Sequence, residues 1–217
     1  NLLDTSKTTT ANISKASLTA TLNDNSKTYD GTSYSGGNGI TFNGFVNGET
    51  ASLLGGNLVY SGTSQGAKDA GNYIISGSGL SSNNYNISFV DGKLTINKKD
   101  LTISNITANN KTYDGTTTAT LSNIGTLVGL VTGEDLVLNN PTSVIFSSKD
   151  VADGITVTAS GYTIADKDSF KASNYNLLDT SKTTTANIVA SVNPTPNPTP
   201  TPTPKVDEQL QRVVASI

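Results

Sequence analysis

The chain has 217 residues, of which 34% are apolar, 6% aromatic and 14% charged, with a net charge of −3 and a pI near 4.8. Cysteine, histidine, methionine and tryptophan are absent, which excludes disulfides, thiolate nucleophiles, imidazole bases and His/Cys metal sites. The Lys and Arg residues are scattered with no basic stripe, which argues against nucleic-acid binding, and no apolar run approaches the ~20 residues of a membrane-spanning helix.

Asn1–Ile13 (NLLDTSKTTTANI) returns letter for letter as Asn176–Ile188. Duplication on this scale marks a repeat architecture. The chain opens inside a repeat, without a signal peptide or initiator Met, so it reads as a piece of something longer. Residues 1–13 are expected to be the closing strand of a preceding repeat. A first module is expected over 14–97, where apolar residues alternate with polar ones: Leu18, Ala20 and Leu22, then Leu58 and Tyr60, Tyr73 and Ile75, Ile87 and Phe89, Leu94 and Ile96. Period-two alternation means strands with one buried and one wet face. Asp91-Gly92 lies between two such runs and reads as a two-residue hairpin.

A second module is expected over 98–190. Lys27-Thr28-Tyr29-Asp30-Gly31-Thr32 recurs there as Lys111-Thr112-Tyr113-Asp114-Gly115-Thr116. Asn47-Gly48-Glu49 is matched by Thr132-Gly133-Glu134, and Asn84-Tyr85-Asn86 by Asn174-Tyr175-Asn176. Each module is small, so a thin core is expected in each. The joint from Ile96 to Leu101 contains no Gly, Pro or Ser-rich spacer, and Ile13 to Leu18 keeps the same step. Short joints limit interdomain freedom and predict a stiff rod. Residues 191–204 form a Pro/Thr linker expected to be extended at ~3.1 Å per residue. Residues 205–217 place Val206, Leu210, Val213, Val214 and Ile217 on one helical face, reading as an amphipathic helix or the start of a further segment.

The duplicated Tyr29-Asp30-Gly31 and Tyr113-Asp114-Gly115, with the closing Asn-Tyr-Asn at 84–86 and 174–176, resemble the YDG-type and mostly-bacterial immunoglobulin-like repeats of secreted filamentous-haemagglutinin-like adhesins. The resemblance covers roughly 14–190. It implies tandem modules projecting from an outer membrane, exported by two-partner or related secretion, with no catalytic residues or cofactors. The fold expectation is all-β: immunoglobulin-like antiparallel sandwiches in tandem, followed by the linker and short helix.

Tyr29, Asp30, Gly31 and their copies Tyr113, Asp114 and Gly115 are expected to be structural turn residues. Gly takes a positive φ, Asp bonds nearby N–H groups, and Tyr packs its ring. Tyr34, Phe42 and Phe45 have no clear second-module equivalents and form a candidate binding patch for a host cell-surface glycan or protein. The acidic stretches at 23–25, 150–153 and 166–168 offer oxygen ligands but match no calcium-loop pattern, so no metal site is expected. A Lys–Asn cross-link between Lys27 or Lys111 and Asn84 or Asn174 is chemically conceivable. No enzymatic activity is expected, since the modules lack room for a deep cleft and apolar surroundings to shift a carboxylate. The expected role is a structural stalk of an extracellular, outer-membrane-associated adhesin, with a ligand-binding module as the alternative. The expected partners are neighbouring repeats and, for the terminal helix, a secretion or anchoring partner.

Overall fold

The computed structural model describes residues 6–191. The linker beyond Ser191 and the helix expected over 205–217 lie outside the described residues, as do residues 1–5.

The first unit contains strands β1 (Ala16–Leu22), β2 (Asn25–Thr28), β3 (Ile40–Asn43), β4 (Gly55–Ser61), β5 (Gly71–Ser81), β6 (Tyr85–Val90) and β7 (Gly92–Asn97). They form a three-stranded sheet ordered β3-β1-β6 and a four-stranded sheet ordered β2-β7-β5-β4. On β1 the alternation buries Leu18, Ala20 and Leu22. Leu22 meets Ile75, Leu94 and Ile96 of the other sheet in one buried cluster. Burial of such side chains contributes about 1.5–3 kcal/mol each.

The second unit contains β8 (Lys99–Ser104), β9 (Thr107–Ala108), β10 (Lys111–Thr112), β11 (Leu121–Asn123), β12 (Thr126–Val128), β13 (Val137–Leu138), β14 (Ser143–Phe146), β15 (Ala152–Ser160), β16 (Ile164–Ala165), β17 (Tyr175–Leu177) and β18 (Ser181–Val189). Its principal sheets are β12-β8-β17 and β10-β18-β15-β14, with two short added ladders, β9–β11 and β13–β16. The two units thus share one topology. β8 stands where β1 stands, β17 where β6 stands, and β18 where β7 stands. Even the registers agree: Lys27 lies beside Ile96 and Lys111 beside Ile188. Among the described residues no strand of one unit pairs with a strand of the other.

The sheets are all β, as the alternation predicts, but they are not purely antiparallel. β1 runs parallel to β6 and β2 parallel to β7, and the second unit repeats both pairings. An immunoglobulin domain seats its first strand in one sheet with its second, fourth and fifth. Here the first strand lies with the third and sixth, so the strand order is a different one.

The expected Asp91-Gly92 hairpin is also corrected. β6 and β7 belong to different sheets, so the chain steps across the core between them instead of folding back. Gly92 is required there for space, because a Cβ would sit 2.5 Å from the Leu22 carbonyl oxygen.

Residues 6–13 form no strand, in contrast to the closing strand expected over 1–13. The same eight residues, repeated as Ser181–Ile188, lie in β18 between β10 and β15. A strand's backbone groups need flanking partners; β18 lies between β10 and β15, whereas residues 7–13 pair with no strand among the described residues. Ile188 is 1% exposed and Ile13 fully exposed. Accordingly, Ile188→Ala should destabilise the chain by about 2–5 kcal/mol, whereas Ile13→Ala should change it by less than ~0.5 kcal/mol. Urea denaturation of the two variants is the check.

Candidate functional site: the module junction

The Lys-Thr-Tyr-Asp-Gly-Thr motif builds the same turn twice. Asp30 Oδ1 accepts from the Thr32 amide at 2.9 Å, from the Thr32 hydroxyl at 2.7 Å and from Lys27 Nζ at 2.7 Å. Asp114 Oδ1 does the same with the Thr116 amide, the Thr116 hydroxyl and Lys111 Nζ. These bonds favour the charged carboxyl and hold both aspartates at a pKa of about 2, with the lysine contact the largest cause. Gly31 and Gly115 adopt φ of 76° and 79°, a region costly for residues with a Cβ. The preceding tyrosine amides donate to the last strand, Tyr29 to the Asn97 carbonyl and Tyr113 to the Val189 carbonyl, both at 2.8 Å. The turn is therefore self-contained, and it leaves each tyrosine ring free to project from the end of its unit.

A second turn faces it. In Val131-Thr132-Gly133-Glu134 the Glu134 amide donates to the Val131 carbonyl at 2.9 Å. The Tyr175 hydroxyl accepts from the Val131 amide at 3.1 Å and donates to Glu134 Oε2 at 2.7 Å.

At the joint the two turns meet. Tyr29 of the first unit donates its hydroxyl to Glu134 Oε1 at 2.6 Å, so one carboxylate is shared by two tyrosines. Their rings stand edge to face with centroids 5.4 Å apart. Such a ring pair adds about 0.5–1.5 kcal/mol beyond area burial. Tyr29 and Tyr175 are both buried and share a single core cluster with Leu22, Leu94 and Ile96 of the first unit and Leu101 and Leu136 of the second. Beside the rings, the buried Asn174 accepts from the Ala70 amide at 2.8 Å and donates to Asp69 Oδ1 at 3.0 Å. At the rim Lys171 pairs with Asp69 Oδ2 at 2.6 Å and holds that carboxyl below its usual pKa. Burial, followed by the Glu134 hydrogen bond, raises the Tyr29 pKa and pushes Tyr175 up to about 12.

Of the motif residues expected to act within their own turns, Asp30 and Gly31 do so. Tyr29 does more, since it binds the neighbouring unit. Glu134, Asn174 and Asp69 were not singled out from the sequence for this role. The recurrences of Val-x-Gly-Glu (Val46–Glu49, Val131–Glu134) and Asn-Tyr (84–85, 174–175) mark Glu134 and Asn174 but not Asp69.

In the candidate patch, Phe42 and Phe45 lie 5.6 Å apart, and Phe45 stands edge-on to Tyr85 at 5.3 Å. Tyr34 packs instead against the junction-side core, and its hydroxyl accepts from Asn25. The cross-link geometry is not present. Lys27 is held by Asp30 and Thr32, and Lys111 by Asp114, Thr116 and Thr118, while the Asn174 amide is engaged with Asp69 and Ala70. Among the acidic stretches, Asp150 is held by Lys149 and Ser148, and Asp166 accepts from the Ala172 amide. Among the described residues no helix is long and apolar enough to cross a membrane, which says nothing of β-barrels.

Comparison with protein families matches residues 18–95 to the MBG domain (YGX type) and residues 97–186 to the YDG domain. These matches support a chain built of MBG- and YDG-type repeats. A search of curated proteins gives no significant match.

Two outcomes follow for the junction. Raised tyrosine pKa values mean stability that is complete below pH 10 and lost as pH climbs toward about 12, because the unfolded tyrosines ionise first. Melting temperatures between pH 9 and 12 should fall, and less steeply in Tyr29→Phe. That variant should also lose about 1.5–3 kcal/mol at neutral pH, the usual worth of a hydrogen bond to a charged group. Separately, intact mass spectrometry should return the uncross-linked sequence mass, with no loss of ammonia.

Proposed function

We propose that this chain is a stalk segment of a secreted or surface-anchored bacterial adhesin, in which tandem modules supply length and their junctions supply stiffness. The observation that carries this reading is the shared Glu134 carboxylate: two tyrosines from two units close on one acceptor inside a continuous core. Flexibly tethered domains usually meet through modest, polar contacts. A joint with fused apolar packing and a buried Asn174 network instead fixes one orientation. Repetition of one topology with one kind of joint is the way linear arrays gain length. The matched YDG and MBG domains are repeat-type families and fit such a role. Its site of action in this reading is extracellular, at the bacterial outer membrane, and it carries no catalytic task.

The alternative, a glycan- or protein-binding module, draws on the Phe42 and Phe45 pair. Phe45 already packs on Tyr85, so this row also serves to hold Tyr85 in place.

Small-angle scattering tests the stalk reading. The wild-type profile should fit one rigid shape, whereas Tyr29→Ala and Glu134→Ala should need an ensemble of interunit orientations and should split unfolding into two transitions. A wild-type profile that itself requires an ensemble would sink the proposal.

A further inference from the structure

The first unit repeats the receiving half of the junction at its outer end. The Glu49 amide donates to the Val46 carbonyl at 3.0 Å, and the Val46 amide donates to the Tyr85 hydroxyl at 3.1 Å. The Tyr85 hydroxyl donates to Glu49 Oε2. These are the contacts of Val131, Glu134 and Tyr175, atom for atom. What differs is occupancy. Among the described residues, Glu49 Oε1 has no donor, whereas Glu134 Oε1 holds Tyr29. Asn84 stands where Asn174 stands but is exposed, with no side-chain partner among the described residues. Val46 is 46% exposed, and a hollow of about 490 Å³ opens between Val46, Glu49, Asn84, Tyr85 and Ile13.

The second unit carries the inserting half at the opposite end. A Cβ at Gly31 would meet Val131 and Glu134 at 3.1 and 3.2 Å, whereas a Cβ at Gly115 would meet nothing within 4 Å. Tyr113, the counterpart of Tyr29, is 42% exposed, and its hydroxyl has no partner among the described residues. The sheet register sets Ala152 where Gly71 stands, so Asp150 and Val151 stand where Asp69 and Ala70 bind Asn174. Val151 is 51% exposed.

We infer that the Val46–Glu49–Asn84–Tyr85 hollow is a docking site for the Tyr113 end of a second copy of this chain, with Tyr113 donating to Glu49 Oε1 and Asn84 bridging Asp150 and Val151. The occupant is fixed by the interface already built inside the chain, which supplies the same donors and acceptors at matching positions on the two ends. Such a contact is heterologous and does not close on itself, so it propagates head to tail. Ile13, fully exposed, lines the hollow beside Ser14 and Lys15 and is displaced when it fills. The inference rests on reading the junction as a stacking device and names its intermolecular partner.

The test uses complementary variants of the full chain. Tyr113→Ala keeps the hollow but lacks the inserting ring; Glu49→Gln keeps the ring but lacks the carboxylate acceptor. Each alone should be monomeric. Adding unlabelled Glu49→Gln chain to ¹⁵N-labelled Tyr113→Ala chain should shift the amide signals of Val46, Glu49 and Asn84 saturably, with the remaining spectrum unchanged. A donor carrying both substitutions should produce no shift. Absence of shifts at millimolar donor, or equal shifts with the doubly substituted donor, would overturn the docking site. A rigid scattering profile together with that failure would leave the stalk reading standing, so the two outcomes separate.

Discussion

One carboxylate organises the middle of this molecule. Glu134 takes two tyrosine hydroxyls from two separately formed units, and everything at the joint is arranged to make that possible. Its own turn positions it, Tyr175 locks one of its oxygens, and Tyr29 arrives on the rigid Asp30-Gly31 turn of the other unit. Hydrogen bonds to a charged acceptor in a partly buried setting contribute about 1.5–3 kcal/mol each. One of them, from Tyr29, crosses the joint, and the edge-to-face rings add to it; the other, from Tyr175, lies within the second unit and holds the carboxylate in place.

The division of labour within Lys-Thr-Tyr-Asp-Gly-Thr explains why the motif recurs as a block. Lys, Asp and Thr satisfy one another, Gly supplies the positive φ, and the Tyr amide ties the turn to the last strand. None of these bonds involves a neighbouring unit. The turn is complete before anything docks, so the ring is presented at little entropic cost when a receiving surface is met. Both halves, the inserting turn and the Val-x-Gly-Glu turn, are held by bonds within their own units.

Topology reinforces this. Because the first strand pairs with the sixth and the second with the seventh, the ends of each unit's chain are woven into its two sheets. The last strand leads directly to the first strand of the next unit, Asn97 to Lys99, with a single residue between them.

The β character and the buried faces were legible in the sequence, because alternation of apolar and polar side chains is a local consequence of the pleat: Leu18, Ala20 and Leu22 point inward wherever that segment is a strand. The turn chemistry of Tyr-Asp-Gly was legible for the same reason, since Asp30 and Thr32 are neighbours along the chain. Which strands pair was not: Asp91-Gly92 carries the local signal of a hairpin, yet β6 and β7 lie in different sheets, because sheet membership depends on residues far away. Nor could local pattern distinguish Ser6–Ile13 from Ser181–Ile188, which are the same eight residues. One is a strand paired on both sides and the other an exposed coil, because the strands that flank β18 come from elsewhere in the fold. The role of Tyr29 and the identity of Glu134 as its acceptor belong to that second class. They span more than a hundred positions, and only the three-dimensional approach of two completed units brings them together.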